Sequence, residues 1–186
     1  MHPQQRSFCE RVKNILPEYF INKKVLDVGS LDVNGNNRYL FENCDYTGID
    51  VSIGPNVDFA SRGHEWVKPS GIPYDTIIST ECFEHDMFYE KTLKNISYYL
   101  LTPGGLFLFT CATDGRPEHG TLRTTPQDSP LTTILGNEWS NYYKNLNQID
   151  IENSIDLNYY FKDYKFEIGE ETKDLYFWGI KKLKYI

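Results

Sequence analysis

The chain has no run of lysine and arginine, no CxxC pair and no apolar stretch long enough to cross a bilayer. Each absence removes a class of protein. Its 19 basic and 26 acidic residues leave a net charge of −7. Without a cationic patch to neutralise a phosphate backbone, long nucleic acid is not expected as a partner. The four cysteines, Cys9, Cys44, Cys82 and Cys111, are scattered. They signal neither a zinc site nor a disulfide framework, so reduced thiols are expected. The N-terminal segment lacks the apolar centre of a secretory signal, and nothing approaches the ~20 apolar residues of a spanning helix. A cytoplasmic protein without a membrane partner follows. The His and acidic residues show no diagnostic ligand spacing, so no metal is expected.

What is present is an alternation of short apolar runs with helical stretches. Residues 4 to 16 place Phe8, Val12, Ile15 and Leu16 on one helical face, and Pro17 stops them. Strands are expected at 24–28, 46–50, 56–59, 74–79 and 105–110, with helices at 34–43 and 88–101, where Leu93, Ile96, Tyr99 and Leu100 share a face. Alternating elements imply crossover connections and a parallel sheet covered on both faces. Residues 164–168 and 175–180 read as a C-terminal hairpin. The segment 113–130 is a long polar loop, and such loops in compact domains usually carry function. The aromatic fraction is 15%; the pairs Tyr142-Tyr143 and Tyr159-Tyr160 read more as packing than as stacking platforms for a sugar or base.

The first strand ends in Asp27-Val28-Gly29. A residue without a Cβ stands where the chain turns sharply and the backbone approaches a ligand lying across the strand ends. Gly35 supplies a second small position, and the helix expected after it offers free N–H groups. Where a dinucleotide fingerprint has its second glycine, this chain has Leu31-Asp32. An acid there opposes a diphosphate and suits a cofactor carrying an ammonium and a sulfonium. Asp50 ends the second strand about 20 residues on, the distance at which an acid meets ribose hydroxyls.

Taken in order, VLDVGS, YTGID, YDTIISTECFEHD and LLTPGG resemble class I S-adenosylmethionine-dependent methyltransferases, most like the small type 11 group, over about residues 22 to 112. The segment Gly115–Thr121, with Gly63-His64-Glu65, is similar to a bacterial subfamily associated with surface-polysaccharide gene sets. The resemblance implies a Rossmann-like α/β sandwich with a mostly parallel seven-stranded sheet and a C-terminal antiparallel hairpin. It also implies one domain over residues 1–186: a helical lid at 1–21, a cofactor core at 22–112, a substrate loop region at 113–150 and terminal strands at 151–186. In this reading S-adenosyl-L-methionine is held at its methionine end by Asp27, Gly29, Ser30, Asp32 and Gly35. Asp50 takes the ribose, Val51 lies against the adenine, Gly63 and His64 form the adenine-edge loop, and Ser79 and Glu81 lie beneath the amino-acid moiety. His64 stands where the family usually has Asp.

Methyl transfer from a sulfonium is an in-line displacement with a neutral leaving group, so positioning in a dry site is the main task. A hydroxyl acceptor gains from a base, and His85 and His119 are the candidates. His85 could instead orient the next helix, and His119 could be a solvated loop residue. Arg116, Glu118 and Arg123, with Tyr142, form a candidate clamp for a small, anionic substrate. The expected reaction is methylation of a hydroxyl on a sugar or nucleotide-linked sugar. A nitrogen or phosphoramidate-type acceptor and a non-catalytic cofactor-binding subunit remain alternatives, and nicotinamide chemistry is the least favoured.

Overall fold

The computed structural model describes residues 2–69 and 71–183. A seven-stranded sheet runs through it in the order β3-β2-β1-β4-β5-β7-β6. Its strands are β1 (Lys24–Val28), β2 (Asp45–Asp50), β3 (Phe59–Ala60), β4 (Tyr74–Thr80), β5 (Leu101–Ala112), β6 (Phe161–Gly169) and β7 (Asp174–Lys181). The first five pair in parallel. β7 returns antiparallel to both β5 and β6, so the C-terminal hairpin closes the sheet as expected.

Side chains alternate across β5, and the alternation divides the core in two. Phe107, Phe109 and Cys111 face one side with Leu93, Ile96 and Ile151. Leu93 comes from α2 (Tyr89–Asn95), Ile96 from the turn that follows it, and Ile151 from a helix at Gln148–Ser154. Leu106 and Leu108 face the other side with Phe8, Cys9, Val12 and Leu40. Phe8 and Val12 belong to α1 (Pro3–Ile15), whose Phe8 ring stacks on Tyr176 of β7 at 4.9 Å. The helix expected to be a lid is therefore built into the core, and only its start reaches the ligand side. The described residues contain no helix long and apolar enough to cross a membrane.

Three local expectations are corrected. Residues 34–43 form no α-helix, only a 3-10 turn at Arg38–Leu40. Asn34, Asn36 and Asn37 are weak helix formers. Their amides are drawn off instead: Asn36 donates to Asp32 at 2.7 Å and Asn37 to Asp27 at 3.2 Å. After α2 the chain continues through a wider π turn at Ile96–Leu100. That turn shifts the register, so Ser97 is buried and Tyr99 is 62% exposed. The strand expected at 56–59 forms only at Phe59–Ala60, because Asn56 takes a left-handed turn conformation with φ 68°.

Candidate active site

In a sheet of this order the chain reverses direction between β1 and β4, and ligands bind beyond the carboxyl ends of the strands at that point. A cavity of about 210 Å³ lies there. Its floor is set by the last residues of β1, β2 and β4. Asp27 is buried, and its carboxylate accepts hydrogen bonds from the Tyr46 hydroxyl and from Asn37 Nδ2, which also reaches Thr80 Oγ1 at 3.2 Å. Burial pushes the Asp27 carboxyl up to about 6, against the opposing effect of those two donors. Gly29 and Ser30 both donate their N–H to the Ile49 carbonyl, at 2.9 and 3.0 Å. This pins the turn after β1 onto β2.

Asp50 ends β2. Its Oδ2 accepts from Leu31 N–H at 3.1 Å and its Oδ1 from Val51 N–H at 2.8 Å, which leaves one lone pair on each oxygen for a ligand. Burial raises its pKa against these donors. Gly29 turns with φ 79°, and a Cβ there would stand 2.5 Å from both Cβ and Sγ of Cys82. Beyond β4, Glu81 sits in a left-handed conformation with φ 52°, a strain often found at functional positions.

Arg116, from the polar loop, borders the cavity, but its guanidinium is already engaged. Nη1 donates to Asp174 at 3.0 Å and to the Thr172 carbonyl at 2.5 Å, while Nη2 lies 3.8 Å from Glu81. Burial and Asp174 push Glu81 upward, and Arg116 offsets this in part. Loss of Tyr46 should show how tightly this floor is balanced. Tyr46→Phe removes one of two side-chain donors to a buried carboxylate and should cost about 2 kcal/mol at neutral pH. Asp27 binds its proton more tightly folded than unfolded, so the cost is full above its folded pKa. Urea titrations should show the penalty shrinking as pH falls below about 6.

The opposite wall carries the two candidate imidazoles. His85 is 5% exposed, its Nδ1 has no partner, and burial with His119 nearby lowers its pKa to about 3. It is neutral at physiological pH. His119 stands perpendicular to it at 5.2 Å, and the Tyr143 ring packs within 5.5 Å of both. Gly120 makes the fit possible, because a Cβ there would stand 2.6 Å from His85 Cε1. His119 Nδ1 lies 3.2 Å from the Pro117 carbonyl and donates to it. That leaves Nε2 as the nitrogen with a free lone pair. One ligand-capable atom from each of Glu84, His85 and His119 lies within 4.8 Å of the other two.

The structure thus brings Asp27, Gly29, Ser30, Gly35, Asp50, Val51, Gly63, Glu81, His85, His119 and Arg116 to one cavity. Other expected residues are used elsewhere. Asp32 caps its own turn, accepting from Gly35 N–H at 2.7 Å. Ser79 donates to the Val28 carbonyl at 2.7 Å, between strands. His64 packs against Phe88 at 4.6 Å and borders a separate shallow hollow. Glu118 pairs with Arg123 at 2.9 Å, so neither side chain is free as a clamp, and Tyr142 does not line the cavity. Sequence reasoning missed Asn37, Asp86 and Trp139, which do line it. Asp86 follows the expected Glu84-His85 pair directly and accepts from Thr92 Oγ1 at 2.5 Å.

The parallel sheet with β7 reversed between β5 and β6, and a cavity at the ends of β1, β2 and β4, is the architecture of class I methyltransferases. The chain belongs to the methyltransferase-domain family, whose profile matches residues 2–160. No curated protein sequence matches it. Among solved structures it is similar to the 1,6-didemethyltoxoflavin N1-methyltransferase of Burkholderia thailandensis bound to its acceptor and S-adenosylhomocysteine. That match has 15% identity and a TM-score of 0.63, over 97% of this chain and 79% of that one. It is also similar to the N-methyltransferase NodS of Bradyrhizobium japonicum with S-adenosylhomocysteine, at 14% identity and TM-score 0.61, over 98% and 89%. A third is phosphoethanolamine N-methyltransferase 2 of Haemonchus contortus, at 15% identity and TM-score 0.58, over 93% and 52%.

Proposed function

We propose that the cavity binds S-adenosylmethionine and that the protein transfers its methyl group to a hydroxyl of a small polar acceptor, a sugar or nucleotide-linked sugar. The observation that carries this reading is the floor of the cavity. Asp27, Asp50 and Glu81 border it around the Gly29 turn, where a dinucleotide would need amides facing a diphosphate. Carboxylates there suit an ammonium, a sulfonium and a ribose diol. Asp50 takes the ribose hydroxyls, Val51 and Gly63 flank the adenine, and Gly29, Ser30 and Glu81 border the methionine end.

The acceptor then lies between the sulfonium and the wall of His85 and His119. An acceptor oxygen attacks the methyl carbon as the carbon–sulfur bond breaks, and the bonding pair goes to sulfur. The hydroxyl proton leaves to water on the imidazole side of the site. Arg116 borders that space with its guanidinium taken up by Thr172, Asp174 and His2, so it shapes the wall without gripping an anion. An amine acceptor is the second reading. It is favoured by Asp86 on the cavity wall, whose carboxyl would accept a hydrogen bond from a neutral amine and take up its proton.

Incubation with S-adenosylmethionine and parallel sets of sugar, nucleotide-sugar and amine acceptors, read by mass spectrometry, tests the choice. A methylated sugar hydroxyl with release of S-adenosylhomocysteine is the expected product. Turnover of amines alone would overturn the hydroxyl reading.

A further inference from the structure

Behind the imidazole wall, Glu84 presents a problem in electrostatics. Its side chain is fully buried. Oε1 accepts the Ala112 N–H at 3.1 Å, while Oε2 has no partner. Among the described residues no lysine or arginine pairs with it, since Arg116 is committed to Asp174 and Glu81. A buried carboxyl without a counter-charge is costly. In the next residue His85 Nδ1 is also buried and unpartnered, a second polar atom left unsatisfied.

We infer that Glu84, His85 and His119 form a binding site for one divalent transition-metal ion at the acceptor end of the cavity. Three features support it. The ligand atoms lie within 4.8 Å of one another. An ion at about 2.0–2.2 Å from each ligand holds tetrahedral ligand atoms about 3.4 Å apart, so side-chain rotations that draw these atoms in by about 1 Å close the set. Each ligand has its other atom fixed by the backbone or by packing, as metal ligands usually do. Ala112 N–H holds the Glu84 carboxylate, the Pro117 carbonyl fixes the His119 tautomer, and Tyr143 packs against both rings.

Two imidazoles and one carboxylate favour zinc or ferrous iron, for which Co²⁺ is a visible probe, over magnesium or calcium. Three protein ligands also leave coordination positions open. Because His85 and His119 border the cavity, those positions face the acceptor. An ion held there would act as a Lewis acid on an acceptor oxygen and ease loss of its proton to water. This deepens the proposed function by assigning the imidazoles to an ion, and it rests on that reading only for the identity of the acceptor. The spacing of the sequence hid the site, because His119 arrives from a different loop.

Chelator-stripped full-length protein titrated with Co²⁺ alone, followed by the visible ligand-field spectrum, tests the inference. One equivalent should bind with a spectrum showing imidazole coordination. Glu84→Gln and His119→Ala should each weaken binding at least about 10-fold, the loss that even outer-shell partners produce. Cys44→Ser, which removes a competing thiol, should leave it unchanged. His119→Ala alters a half-buried loop residue and keeps the test available should Glu84→Gln fail to fold. Absence of Co²⁺ binding, or binding unaltered in His119→Ala, would overturn the site. S-adenosylhomocysteine titrated into the same stripped samples reads the cofactor claim separately. Cofactor-product binding without Co²⁺ binding removes the metal site alone, and Co²⁺ binding without it supports the site while removing the cofactor reading.

Discussion

Gly29→Val should lower the melting temperature by about 10 °C and abolish S-adenosylhomocysteine binding. The backbone there has φ 79°, a conformation costing an L-residue roughly 1–2 kcal/mol and a β-branched one more. The new Cβ would also stand 2.5 Å from Cys82 Cβ and Sγ. Relief of that contact moves either the turn after β1 or the segment that carries Glu81, Glu84 and His85. Overpacking of this kind adds about 1–3 kcal/mol, and both walls of the cavity lose their geometry. Gly35→Ala is the comparison. It shares a positive φ of 116° but meets nothing within 4 Å, so it should cost strain alone and keep most binding. Differential scanning fluorimetry with and without ligand measures both. An unchanged melting temperature in Gly29→Val would mean that the turn is not packed against Cys82.

Asp50→Ala should weaken S-adenosylhomocysteine binding several hundred-fold. Each hydrogen bond to a charged acceptor contributes about 1.5–3 kcal/mol, and two ribose hydroxyls together correspond to a factor of that size. The substitution also strips an acceptor from the N–H groups of Leu31 and Val51, which loosens the turn that faces the ligand. Asp50→Asn keeps one acceptor oxygen and should fall between wild type and alanine. Calorimetric affinities in which Asp50→Ala stays within about threefold of wild type would contradict the ribose contact.

The floor of the site was legible in the sequence, and its far wall was not. Buried parallel strands read as apolar runs ending in a turn residue, so Asp27, Gly29 and Asp50 could be placed at strand ends from spacing alone. The helix expected at 34–43 does not form because its asparagine amides are bound by Asp32 within the turn and by Asp27 at the end of β1, which outweighs local periodicity. Asp32 is turned to that local use, accepting from Gly35 and Asn36. Arg116 looked like a free anion clamp because its partner Asp174 lies on β7, far along the chain. Glu84 and His119 meet only once the loop after β5 folds back over His85, with Gly120 seated against the ring. No local pattern encodes that contact.

The central claim is that this cavity is built for a sulfonium nucleoside. Calorimetric titration of the wild-type protein with S-adenosylhomocysteine, and separately with NAD, tests it most directly. The account predicts saturable one-to-one binding of S-adenosylhomocysteine and no heat of binding with NAD. Binding of NAD with no response to S-adenosylhomocysteine would contradict it.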